Sequence, residues 1–222
     1  MADGCLLYYI TDRSQFPGDE LARRRALLDK IAEATRAGVD YIQLREKDLS
    51  TRDMETLARE AVSVVRQNQQ TTNHDSLSTR LLINSRTDIA LAAGADGAHL
   101  RSDDVAVSDA RSVWHPARST QLVARSPILA VSCHTPADVS RAETEGAAFA
   151  VFAPVFEKTG SEPAGLTALR EACKMKMPVL ALGGVTMDNA RACLEAGAAG
   201  IAAIRLFQEN NIEEVVRKLR AR

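Results

Sequence analysis

Three observations predict an α/β fold, a (β/α)8 TIM barrel built as a single domain over residues 1–222. Short, nearly unbroken apolar runs recur eight times. Amphipathic stretches of helical period lie between most of them, and a glycine-centred segment echoes four times. Strands that are apolar on both faces and separated by helices require a parallel sheet covered on both sides. Eight of them close into a barrel, here in a chain somewhat short of the usual ~250 residues. An open doubly wound sheet is the competing arrangement.

The strand runs fall at 5–11, 40–45, 80–84, 97–100, 128–133, 148–155, 178–182 and 200–206. The first helix is read from Asp19–Ala37, where Leu27, Leu28, Ile31 and Ala34 recur at three-to-four spacing. Thr51–Gln67, Pro136–Glu145, Leu166–Lys174 and Thr186–Ala196 show the same period. Asp138 after Pro136, and Thr186 before Asp188 and Asn189, are helix-start signals, while Gly38, Gly146 and Gly197 mark helix ends. The echo runs Ala34 to Ile42, Ala90 to Ala98, Ala142 to Ala150 and Cys193 to Ile201, with Gly38, Gly94, Gly146 and Gly197 fifth in each. Glycine there supplies the positive φ of a helix cap before the chain turns into the sheet. Asn68–Arg80 is polar, and Trp114–Ser126 carries Pro116 and several basic residues. Both read as exposed loops inside one domain, because the alternation resumes in phase after each.

Composition narrows the function. A chain that is 45% hydrophobic and 26% charged can bury a sizeable core. Its 28 basic and 29 acidic residues leave a formal charge of -1, which argues against nucleic acid or a membrane surface as partner. No apolar run approaches the roughly 20 residues of a membrane span. The N-terminus lacks a basic-then-apolar signal peptide. Cys5, Cys133, Cys173 and Cys193 show no close-paired metal spacing, so reduced thiols and a cytoplasmic location are expected.

The chemistry gathers where strands end. In Tyr41 to Asp48 an apolar run closes on Gln43, Arg45 and Lys47. Residues at i, i+2 and i+4 of an extended strand share a face, which brings an amide, a guanidinium and an ammonium together. Active sites of TIM barrels lie at the C-terminal strand ends. Here those ends hold Thr11 and Asp12, then Asn84, Ser85 and Arg86, then His99 to Asp104. Ser132 to Thr135, Pro154 to Ser161, Gly183 with Gly184, and Arg205 complete the set. Several cations, carboxylates without an evident partner and a glycine pair fit an anionic, phosphorylated substrate. Asp103 or Asp104 is available to a hard cation such as Mg2+.

The same segments resemble the thiamine phosphate synthase family, including its TenI-like thiazole tautomerase branch. The matching series is Tyr8 to Asp12, Gln43 to Lys47, Leu81 to Asn84, Gly94 to Leu100, Val131 to His134, Ala153 to Phe156, and Leu182 to Asn189. The resemblance covers about residues 5 to 207 in order. It implies a Mg2+-dependent transferase that joins a pyrimidine diphosphate to a thiazole phosphate and releases pyrophosphate. Carried over by position, Gln43, Arg45 and Lys47 hold the pyrimidine and its diphosphate, with Asn84 beside the ring. Asp104 is the Mg2+ ligand, Ser132 a further diphosphate contact, and Gly183 and Gly184 offer backbone N–H groups to the thiazole phosphate. Lys47, Ser132 and His134 are the candidate catalytic residues, Lys158 and Arg205 further substrate-binding candidates. The partners are then small phosphorylated molecules, and a homodimer is compatible with the family.

Three positions depart from the family pattern. Ser85 stands where synthases carry Asp as a second Mg2+ ligand. Lys158 is displaced from the usual lysine position, which Ser161 occupies. Arg205 replaces a small or hydroxyl residue. A thiazole tautomerase, or a non-catalytic binder of phosphorylated ligands, is therefore the alternative function. His134 is the acid/base candidate of such a site, weighed against a loop-ordering role. His99 reads as a packed, hydrogen-bonded structural residue, and Cys133 alternates away from Ser132 and His134. His74 and His115 sit in polar loops and carry no assigned role.

Overall fold

The computed structural model describes residues 4–69, 78–114, 126–157 and 162–221. Eight parallel strands form a closed barrel in sequence order. They are β1 (Leu6–Ile10), β2 (Tyr41–Leu44), β3 (Arg80–Asn84), β4 (Gly97–Leu100), β5 (Ile128–Cys133), β6 (Phe149–Phe152), β7 (Val179–Ala181) and β8 (Gly200–Ala203). Closure comes from β1 pairing with β8, Leu6 opposite Gly200 through Tyr9 opposite Ala203. The helices are α1 (Glu20–Arg36), α2 (Thr51–Gln69), α3 (Thr87–Ala93), α4 (Val107–Trp114), α5 (Pro136–Thr144), α6 (Gly165–Ala172), α7 (Ala190–Glu195), α8 (Arg205–Gln208) and α9 (Ile212–Arg220).

Strand alternation decides what fills the barrel. Tyr8, Leu82, Ala130, Phe149, Val151, Leu180 and Ala202 point inward and pack on one another, with the Tyr8 ring edge-on to Phe149 at 5.4 Å. Their neighbours Leu7, Tyr9, Leu81, Ile83 and Leu129 face the other way, into a larger core beneath the helices. Helix α2 shows how a helix joins that core. Met54, Leu57, Ala58, Ala61, Val62 and Val65 are buried at three-to-four spacing, and Leu57→Ala would cost about 2–5 kcal/mol.

Local signals set the helix ends. Asp19 caps α1 by accepting the Ala22 N–H at 2.9 Å. Thr135 and Asp138 form a capping box on α5 with Pro136 in its first turn. Gly38, Gly94, Gly146 and Gly197 all adopt positive φ, so the fourfold echo is a repeated helix-to-strand turn. In two of the four repeats an aspartate follows and hooks a neighbouring strand. Asp40 accepts the Leu7 N–H at 2.7 Å, and Asp96 accepts the Leu81 N–H at 2.9 Å. Arg220 of α9 also donates to Asp40, at 2.7 Å, which ties the last helix to the bottom of the barrel.

Strands β3, β4 and β5 match their predicted limits, and the other five are shorter. The reading of Thr186 as the start of α7 is corrected. Residues 187–189 form a turn first, closed by the Thr186 N–H on Asn189 Oδ1 at 2.8 Å. The two expected loops are corrected at their edges, because Asn68 and Gln69 belong to α2, Arg80 to β3 and Trp114 to α4. The interiors of both loops, with His74 and His115, lie outside the described residues, as do Lys158 and Ser161. Helices α4, α8 and α9 were not predicted, and of α3 only the end was, from the echo glycine Gly94. Among the described residues no helix is long and apolar enough to cross a membrane.

Candidate active site

A cavity of about 990 Å³ opens at the C-terminal end of the barrel. Its floor is the inward-facing position at, or just beyond, the end of each strand. From β2 to β5 these positions are Gln43, Asn84, His99 and Ser132; from β6 round to β1 they are Ala153, Leu182, Ile204 and Ile10. One half of the floor is polar and the other apolar.

On the polar side, Gln43 Nε2 donates to Asn84 Oδ1, and Asn84 Nδ2 to Ser85 Oγ, each at 3.3 Å. The shared strand face expected for Gln43, Arg45 and Lys47 is corrected, because β2 ends at Leu44. Arg45 and Lys47 reach the cavity from the following loop, and all three line it. That loop is held from below. Thr11 Oγ1 accepts the Arg45 N–H at 3.0 Å and donates to Glu46 Oε1 at 2.6 Å. Glu46 Oε2 accepts from the Arg13 N–H at 3.0 Å and from Arg13 Nη1 at 3.2 Å. Arg13 also forks onto Asp48 at 2.6 and 3.0 Å and reaches Glu20 at 2.8 Å. Burial pushes the Glu46 carboxyl up, opposed by its bonds from Thr11 and Arg13. The hydrogen bonds that Asp48 accepts from it hold the Arg13 guanidinium well above its usual value. This buried hub escaped the sequence reading, although Glu46 lies inside the segment that reading singled out. Above it the Arg45 guanidinium is half-buried, with no hydrogen-bond or ion-pair partner among the described residues. Such a cation is poised for an anion.

The other rim cations are engaged. Arg86 forks onto Asp88 at 2.9 and 2.6 Å, and Arg101 pairs with Asp103. Asp104 closes a turn, its Oδ2 accepting the Arg101 N–H at 2.7 Å; Asp103, not Asp104, lines the cavity. Among the described residues no three His, Cys, Asp or Glu side chains converge on a metal position. Ser85 sits at φ 58, a left-handed conformation that Asp and Asn tolerate better than Ser.

His99 is packed and hydrogen-bonded as expected, with Nδ1 3.1 Å from the Tyr8 hydroxyl and Nε2 2.8 Å from Ser132 Oγ. Burial, then the Arg45 charge, hold it down to about 3. His134 lines the cavity with Nδ1 2.7 Å from the Ala153 carbonyl. A carbonyl only accepts, so Nδ1 carries the proton. Cys133 is buried away from both, its thiol pushed up to about 12 by burial, which removes it as a nucleophile.

Past β7 the chain turns through Gly183 at φ 93 and Gly184 at φ 64. A Cβ on Gly183 would fall 2.6 Å from Pro154 Cα, and one on Gly184 would fall 2.9 Å from the Glu157 carbonyl. The turn therefore presses on the segment after β6, and the Phe156 N–H bonds to the Gly183 carbonyl at 3.0 Å. The Gly183 and Gly184 N–H groups have no acceptor among the described residues. Gly183 lines the cavity; Gly184 stands one residue beyond. The expectation that Arg205 ends the last strand is corrected. It opens α8, is exposed and does not line the cavity, although Ile204 beside it does.

A family described as thiamine monophosphate synthase matches residues 7–207. A putative thiamine-phosphate synthase of Geobacter sulfurreducens is 38% identical over 203 residues, 89% of this chain and 84% of that protein. The thiamine-phosphate synthase of Syntrophomonas wolfei is 35% identical over 222 residues, covering 96% and 94%. Among solved structures, a thiamine phosphate pyrophosphorylase from Pyrococcus furiosus superposes with a TM-score of 0.76 at 28% identity, covering 96% of this chain and 93% of that one. With the match spanning all eight strands and the strand ends that form the cavity, the chain belongs to the thiamine monophosphate synthase family.

Proposed function

We propose that this protein is a thiamine phosphate synthase, joining a hydroxymethylpyrimidine diphosphate to a thiazole phosphate with release of pyrophosphate. The observation that carries this reading is the divided floor. A polar half carries an unpaired guanidinium above it, and an apolar half ends in a glycine turn with unused backbone donors. Two substrates with anionic ends and heteroaromatic rings need two such half-sites. The named relatives are synthases, which favours this activity over thiazole tautomerisation.

In this reading Gln43 and Asn84 hydrogen-bond the pyrimidine. Arg45 and Lys47 take the diphosphate, joined by Ser132 and Lys158. Gly183 and Gly184 receive the thiazole phosphate, and Arg205, next in sequence to the cavity-lining Ile204, is the candidate charge for it. The C–O bond to the diphosphate breaks with both electrons leaving on pyrophosphate, and the thiazole nitrogen forms the new C–N bond. Arg45 and Lys47 stabilise the departing charge, and the apolar wall of Leu182, Ile204 and Ile10 keeps water from the cationic carbon. His134, tied to the Ala153 carbonyl, holds the loops after β5 and β6 together and leaves Nε2 for a substrate donor.

The carboxylates fit a Mg2+ ion that arrives with the diphosphate. Among the described residues Asp104 keeps Oδ1 unengaged, and Asp103, which pairs with Arg101, lines the cavity. Mg2+ commonly takes one or two carboxylates plus substrate phosphate oxygens. When bound, it would supply charge neutralisation on the diphosphate. Free, unpaired cysteines at 5, 133, 173 and 193 are consistent with a cytoplasmic setting. Incubating the protein with both substrates and Mg2+ should yield thiamine phosphate and pyrophosphate. Both substrates binding without any product would overturn the assignment.

A further inference from the structure

We propose that Tyr8 and His99 are positioning residues that set the hydrogen-bond direction of Ser132, turning its O–H proton into the cavity toward an anionic oxygen. The proposal rests on the reading of the polar half-site as the diphosphate side.

The direction follows from counting protons along a buried chain. The Tyr8 hydroxyl lies inside the barrel, fully buried, and among the described residues its partner is His99 Nδ1 at 3.1 Å. Burial, reinforced by the neighbouring Tyr41, raises Tyr8 well above 10, so its oxygen keeps its proton. A buried phenol proton requires an acceptor, and Nδ1 is the atom within reach. His99 is buried and carries a single ring proton at neutral pH. With Nδ1 accepting, that proton is on Nε2, which donates to Ser132 Oγ at 2.8 Å. One lone pair of Ser132 is thereby used. Its own proton has no acceptor among the described residues, and Ser132 lines the cavity. The opposite arrangement, with the proton on Nδ1, leaves the Tyr8 hydroxyl proton stranded in an apolar interior. That is the costlier alternative. Tyr8 itself does not line the cavity, so it reaches a ligand only through His99 and Ser132.

The test is a double-mutant cycle read by titration with inorganic pyrophosphate and Mg2+. Tyr8→Phe keeps the ring that packs on Phe149 and Tyr41 while deleting the proton that fixes Nδ1 as acceptor. Tyr8→Phe and Ser132→Ala should each weaken pyrophosphate binding about three- to tenfold, with thiazole phosphate binding unchanged. The double variant should be no weaker than Ser132→Ala alone. Full affinity in either single variant, or losses that multiply in the double, would overturn the proposal. A second measurement needs no variant. Nitrogen-15 NMR of the intact protein should show His99 protonated on Nε2, and protonation on Nδ1 overturns the proposal by itself. Neither readout requires turnover. A protein that behaves as expected here yet makes no thiamine phosphate sinks the proposed function and leaves this inference standing.

Discussion

The two halves of the cavity floor occupy one layer of one barrel, yet they recognise ligands by different means. From β2 to β5 the layer offers Gln43, Asn84, His99 and Ser132, and these are cross-linked sideways before any ligand arrives. From β6 to β1 it offers Ala153, Leu182, Ile204 and Ile10, which need no partners. Leaving a buried polar group unbonded costs about 1–3 kcal/mol, so the polar half is stable only as a network. The apolar half is free of that demand, but it has no side chain with which to hold an anion. Its anion recognition passes to the main chain, at Gly183 and Gly184, where the absence of Cβ lets the turn press against the segment after β6. Side chains set specificity on one half and backbone shape sets it on the other.

The largest effect is expected on the backbone side. Gly183→Ala places a Cβ 2.6 Å from Pro154 Cα at a positive φ. Backbone strain and overpacking together should cost about 2–5 kcal/mol. Urea unfolding should show that loss, and thiazole phosphate affinity should fall far more than pyrophosphate affinity. Equal loss for both ligands would erase the distinction between the halves. On the side-chain half, Arg45→Ala removes a charge-assisted contact worth about 1.5–3 kcal/mol, or some tenfold to a hundredfold in affinity for the pyrimidine diphosphate. Thiazole phosphate binding should be untouched, and parallel titrations decide it.

Two smaller changes sharpen the boundary. Arg205→Ser should weaken thiazole phosphate by about 1 kcal/mol while sparing the dephosphorylated thiazole alcohol. The modest size reflects an exposed side chain at the first position of α8. No difference between the two ligands would make Arg205 a surface residue only. Smallest of all, Ser85→Asp adds a carboxylate at a left-handed position that Asp accepts more readily. It should lower the Mg2+ concentration for half-maximal activity, a gain of about 0–1 kcal/mol, and a raised requirement would remove Ser85 from the metal side.

Much of this was legible in the chain. Arg80 and Asn84, Gly97 and Arg101, and Pro127 and His134 bound the apolar runs of β3, β4 and β5 and placed them at their observed limits, whereas the runs of β6, β7 and β8 carry apolar residues past the last paired one. Glycine at the fifth position of each echo located four turns, since only the backbone conformation mattered there. Gln43, Arg45, Lys47, Asn84, Ser132, His134 and Gly183 all reach the cavity. What was not legible depends on distance in sequence. Tyr8 meets His99 across 91 residues, and Arg13 meets Glu46 across 33. No local pattern announces such pairs; barrel closure creates them. Helix α9 was passed over although Ile212, Val215 and Val216 are buried, since it follows the last strand and adds nothing to the βα alternation. Arg205 was misplaced because β8 stops at Ala203 and the chain enters α8 at once.

On this division, one cavity holds two phosphorylated ligands side by side. Titrating thiazole phosphate into protein already saturated with pyrophosphate and Mg2+ tests it directly. One equivalent should bind with an affinity no lower than in the absence of pyrophosphate. A dissociation constant that climbs in proportion to pyrophosphate concentration would mean a single shared anion site, and would contradict the division of the cavity.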